Sequence, residues 1–86
     1  MSFTAFVMSL ATTAAVHFGD IPDPDGGATR ADLPAARQMI DILAMLQDKT
    51  KGNLSAEEAQ LVEALLYELR MRFVEASQGE KRIITP

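Results

Sequence analysis

The sequence predicts an all-α fold: a helical hairpin preceded by one further helix. Three observations predict it. Apolar residues recur at helical spacing from Ala35 to Ala76, with a single interruption. That interruption, Lys49-Thr50-Lys51-Gly52-Asn53-Leu54-Ser55, carries a helix-stop signal followed at once by a helix-start signal. A third apolar-periodic run, Phe3 to Phe18, precedes them across a stretch rich in Pro and Gly. Helices are expected near 3–18, 33–51 and 56–77, in one helical domain over 1–78 with a linker over 19–31 and a tail over 79–86.

In the first helix Phe3, Phe6, Val7, Leu10, Ala14 and Phe18 form one apolar face, with Ser9, Thr12 and Thr13 mostly off it. No residue from Ser2 to Phe18 is charged if His17 is neutral. A signal peptide would carry a basic leading region, which is missing. A membrane span needs about 20 apolar residues, and this run is shorter and interrupted. An interfacial membrane helix normally shows Lys or Arg on its polar face. The expectation is a helix whose uncharged surface is covered by protein, with membrane association disfavoured. His17, the one histidine, has neither an orienting partner nor a nucleophile nearby in sequence. It is read as a helix-end residue suited to the negative end of the dipole.

The linker contains Gly19, Pro22, Pro24, Gly26 and Gly27, which rule out regular structure. Its acidic residues Asp20, Asp23 and Asp25 invite a calcium reading. Aligning Gly26 with the glycine of a calcium loop puts Asp23 and Asp25 at ligand positions and Asp32 at the closing one. Ile21 then stands at the first ligand position without a side-chain oxygen, and the closing Glu is missing. The stretch is therefore read as an acidic connector, and no metal or cofactor is expected.

The second helix should start at Asp32, whose carboxylate can cap the first turn, with Pro34 tolerated there. Its core stripe is Ala36, Met39, Ile40, Leu43 and Leu46, while Ile42 and Met45 lie on another side. Asp41 interrupts this run. Two expectations stand side by side: a partly buried carboxylate bonded to Arg37 or to the Tyr67 hydroxyl, which lies level with it across an antiparallel hairpin, or a solvated surface residue beside Arg37.

At the connector, Gly52 follows the basic pair Lys49 and Lys51. A left-handed glycine past a helix end, with lysines at the negative dipole end, is the expected stop. Ser55-Ala56-Glu57-Glu58 reads as a capping box in which Ser55 and Glu58 satisfy each other's backbone N–H. A link this short favours antiparallel helices.

The third helix repeats the pattern through Ala59, Val62, Leu66, Leu69, Phe73 and Ala76, with Leu61, Leu65, Tyr67, Met71 and Val74 left over. Glu68 and Arg72 form a favourable pair one turn apart. Gly79 is expected to end the helix, leaving a tail with a short extended segment through Arg82-Ile83-Ile84.

Composition narrows the function classes. A chain of 86 residues holds one domain. It has no Cys, which excludes disulfides and Cys-based metal sites and suits a reducing, cytoplasmic setting. The net charge of −4 and the 6% aromatic content argue against nucleic-acid binding.

A hairpin hides one stripe per helix, and here both helices carry apolar residues beyond it. The first helix could cover them in cis, giving a three-helix bundle, or a second copy could do so in trans; the linker permits either, and the favoured expectation is a homodimeric bundle. Phe3, Phe6, Val7 and Leu10 would pack against Ile42, Met45, Leu61 and Leu65, burying on the order of 2,000 Å² or more.

The stretch Thr50-Lys51-Gly52-Asn53-Leu54-Ser55-Ala56-Glu57-Glu58, followed by Leu66-Tyr67-Glu68-Leu69-Arg70, resembles the bacterial family called domain of unknown function 1844. The likeness extends through Phe3, Phe6, Leu10, the Gly19 linker, Ile40-Asp41, Leu43 and Leu46, and covers most of residues 3–75. It implies a small helical protein and brings no catalytic or ligand-binding assignment.

Two function classes follow. One is an interaction or structural module working through apolar helix packing, with a protein partner still to be identified. The other is a small-molecule or metal-binding regulator, or a small enzyme, using Asp41, Tyr67, Arg70 and His17. The first is favoured, because the apolar excess calls for a partner and the polar set has no recognised spacing. No catalytic residue is assigned.

Overall fold

The helices are α1 (Phe3–Phe18), α2 (Leu33–Lys49) and α3 (Ala56–Arg82), and no strand occurs among the described residues. The structure is a computed structural model. It describes residues 1–22 and 31–82, with side chains through Gln78. The calcium reading at Asp23, Asp25 and Gly26 and the expected extended segment at Ile83-Ile84 lie outside the described residues.

All three helix starts and the ends of α1 and α2 rest on identifiable chemistry. The Ser2 hydroxyl accepts from Ala5 N–H at 3.0 Å and caps α1. At the other end Gly19 takes φ 80°. Its N–H donates to the Val16 carbonyl, and the Asp20 N–H donates to the Ala15 carbonyl, both at 3.0 Å. This pair of bonds around a left-handed glycine is a Schellman cap. Asp32 caps α2 by accepting from Ala35 N–H at 3.1 Å, as expected.

α2 ends at Lys49, slightly short of the expected 51, because Thr50 closes it. The Leu46 carbonyl accepts both the Thr50 backbone N–H at 3.0 Å and the Thr50 hydroxyl at 2.7 Å, which anchors this residue to the last turn. Gly52 sits in the left-handed region at φ 86°, as the sequence predicts. The capping box forms in full: Ser55 N–H donates to Glu58 Oε1 at 2.8 Å, and Glu58 N–H donates to Ser55 Oγ at 3.1 Å.

α3 does not stop before Gly79 but continues to Arg82. A glycine ends a helix when its backbone turns left-handed. Kept helical, it costs only about 1 kcal/mol relative to Ala. Glu80, Lys81 and Arg82 are good helix formers and carry the helix on.

Each helix packs on the other two. The core draws Val7, Ala14 and Phe18 from α1, Ala36, Met39, Ile40 and Leu43 from α2, and Val62 and Leu66 from α3. No polar or charged residue is buried in it. α1 thus folds back on its own hairpin. Leu61, Leu65 and Arg72 share one flank of α3 by helical spacing. Arg72 reaches Asp20 and Phe18 at the end of α1, so this is the flank that α1 covers. Ala59, expected in the core stripe, is exposed beside the connector.

Candidate interaction surface

The expected dimer interface is largely used up within the protomer. Val7 is fully buried in the core of the single chain. Phe3, Leu10, Ile42, Leu61 and Leu65 are half-buried against that same core. Only Phe6 and Met45 of the expected set remain exposed. The physical reason is that α1 packs in cis on its own hairpin, as in the three-helix alternative. Met45 stands among Gln38, Asp41 and Asp48 on the outer side of α2. A lone exposed apolar residue of this kind is ordinary.

A different surface stays open. Tyr67, Met71 and Val74 are 66%, 50% and 47% exposed. Their spacing of four then three residues puts them on one stripe. At about 100° per residue, that stripe lies roughly opposite Val62, Leu66, Leu69 and Phe73, which face the core. α3 therefore carries two apolar seams, one buried and one open. Gln60, Ala64 and Gln78 continue the open seam, and all are exposed. Glu63 and Arg70 border it on one side, and Glu68 and Glu75 on the other.

The outer side of α1 is also open but differs in chemistry. Thr4, Ala5, Met8, Ser9, Thr12 and Thr13 are exposed and uncharged. The hydroxyls of Ser9, Thr12 and Thr13 donate back to the carbonyls of Phe6, Met8 and Ser9 at 2.6, 3.0 and 3.0 Å. Their protons are engaged within the helix.

An ion pair ties α3 to the end of α1. Arg72 Nε and Nη2 donate to the two Asp20 carboxylate oxygens at 2.9 and 2.6 Å. The guanidinium also lies 5.3 Å from the centroid of the Phe18 ring, within cation–π range. The hydrogen bond from Arg72 holds the Asp20 carboxyl below its usual range, against a smaller opposing effect of burial. Among the described residues the ion-pair partner of Arg72 is Asp20, not Glu68.

The polar set of the second function class is not brought together. Asp41 is exposed, and among the described residues it makes no side-chain hydrogen bond or ion pair, which is the solvated reading and not the partly buried one. It points away from the hairpin seam into an open depression shared with Asp32, Arg37 and Gln38. Tyr67 and Arg70 line a separate depression with Gln47, Glu63 and Met71. His17 sits in the last turn of α1, its carbonyl accepting from Asp32 N–H at 2.6 Å. No group of three or more His, Asp or Glu among the described residues is placed to hold a metal ion. Among those residues no helix is long and apolar enough to cross a membrane.

The family model described as Domain of unknown function (DUF1844) matches residues 1–75 of this chain. No curated protein and no solved structure matches it.

Proposed function

The chain belongs to the DUF1844 family, and we propose that it works as a helical protein–protein interaction module. The observation that supports this reading is the open seam of α3. Three large apolar side chains, Tyr67, Met71 and Val74, stand in line on a helix whose other face already fills the core. The spacing is that of a helix-packing seam, and the flanking charges are those that select a partner helix. A pocket for a small molecule would be concave and would enclose its ligand. The depression at this face, shared by Tyr67, Arg70 and Met71 with Gln47, is open and does not enclose a ligand, and the apolar side chains run in a line, which suits a second helix laid along them.

Site-specific photo-cross-linking in living cells tests the reading. A photoreactive phenylalanine analogue at Tyr67 or at Met71 should give discrete protein adducts. The same analogue at Gln38, on the exposed side of α2, should give none. Absence of adducts at Tyr67 and Met71, or an equal yield at Gln38, would overturn it.

A further inference from the structure

We propose that the occupant of the α3 seam is a second copy of this chain, docked antiparallel with the two-fold axis between Glu63 and Arg70. The proposal rests on the interaction-module reading above and adds the partner's identity and register. Its ground is charge and size complementarity along one helix face.

Glu63 and Arg70 occupy the same flanking position in successive heptads of the open seam, and Glu68 and Glu75 occupy the opposite flank. A parallel, in-register pairing would set Arg70 against Glu75 of the second copy but Glu63 against its Glu68, so attraction and repulsion offset each other. An antiparallel pairing centred near Arg70 would set Arg70 against Arg70 and Glu68 against Glu68. Moving the axis one half-heptad back, between Glu63 and Arg70, sets Glu63 against Arg70 twice by symmetry at the centre of the contact, with Glu57 level with Val74 and Glu75 of the second copy only at its two ends. Flanking pairs of this type set orientation and partner choice in paired helices.

Side-chain size selects the same register. With the axis between Glu63 and Arg70, Tyr67 lies over Ala64 of the second copy, and Ala64 lies under its Tyr67. The bulkiest residue of the seam meets the smallest, which lets the helices approach closely. Met71 falls beside Gln60 of the second copy, where its flexible side chain can lie along the amide stem. The arrangement is isologous and closed, so it stops at two copies. A contact confined to one helix face per copy buries less than a standard interface, about 1,200 Å² or below, so the dimer is weak and reversible.

Sedimentation equilibrium of the full chain from micromolar to millimolar concentration tests the proposal, with helicity checked by circular dichroism. The wild type should show a monomer–dimer equilibrium. Arg70→Glu and Glu63→Arg should each weaken dimerisation about tenfold or more, since both symmetric pairs become repulsive. The double variant Glu63→Arg/Arg70→Glu should return to within about threefold of wild type. Both substituted side chains are exposed, so the fold is retained. A wild type that stays monomeric throughout, or a double variant no better than the singles, overturns the proposal. If cross-links at Tyr67 and Met71 still capture a different protein, self-pairing fails while the interaction-module reading stands. If there are no cross-links either, both fail.

Discussion

Arg72 on α3 grips Asp20, two residues beyond the end of α1, through two hydrogen bonds across a sequence separation of 52. The pair joins the first helix to the last and lays the guanidinium over Phe18. Its stability contribution depends on pH. Because the Asp20 carboxyl is held below its usual range, the contribution is present above the unfolded value of about 3.9 and is lost as pH falls through the lower folded value. Asp20 is 41% exposed, so solvent screening limits the contribution to about 1 kcal/mol or less. Asp20→Asn should lower the melting temperature by a few degrees at neutral pH, and the gap to wild type should close below about pH 4. Thermal melts between pH 2 and 7 measure this directly. Parallel curves for the two proteins would remove the role assigned to the pair.

Gly19 and Gly52 share a left-handed backbone but differ in surroundings. A Cβ at Gly52 meets nothing within 4 Å, so Gly52→Ala carries only the conformational strain, about 1 kcal/mol. A Cβ at Gly19 comes 3.2 Å from the backbone nitrogen of Ala31. Gly19→Ala therefore adds a backbone displacement to the same strain and should destabilise by about 1–3 kcal/mol. Chemical denaturation of both variants checks the order, and a larger loss at Gly52 than at Gly19 contradicts it.

Val7 reports on how α1 packs. It is fully buried within one protomer, so Val7→Ala should destabilise by about 2 kcal/mol through lost burial and a small cavity. The melting temperature should fall by about 8–16 °C. In the Arg70→Glu background, designed to weaken the proposed self-pairing, that drop should not vary with protein concentration. A drop that grows on dilution means that α1 is exchanged between copies.

Asp41 gives the opposite kind of prediction. Exposed and unpaired among the described residues, it should accept Ala with a stability change within about 0.5 kcal/mol. A loss of 2 kcal/mol in a denaturant titration of Asp41→Ala would place it back among the structural residues.

The features legible in the sequence were those set by neighbours a few positions away. The Ser55–Glu58 capping box, the Asp32 cap and the left-handed Gly52 each depend on a short spacing that the sequence displays. Gly19 had such a signal as well, since it directly follows the last apolar residue of α1. The nearby prolines and glycines of the linker obscured it. The Asp20–Arg72 pair had no local signal, and the nearest acid one turn before Arg72, Glu68, suggested the wrong partner. The sorting of leftover apolar residues was out of reach for a related reason. Leu61 and Leu65 differ from Tyr67, Met71 and Val74 only in which flank of α3 they occupy, and periodicity does not say which flank α1 will cover. The seam of α3 was visible as an excess of apolar residues, and its location became visible only once α1 was in place.

The close approach of Ala31 to Gly19, with the Asp32 N–H bonded to the His17 carbonyl at 2.6 Å, gives the chain an engineering property. The backbone leaves α1 and returns to the same spot before α2 begins, so the two helices are registered by this junction and not by the length of chain between. An epitope or reporter peptide spliced between Gly26 and Gly27 would enlarge a ring that is already cinched at its base. Ring enlargement of this sort costs only about 0.6 kcal/mol per doubling of length. A peptide inserted there should therefore leave the packing of α1 on α2 intact.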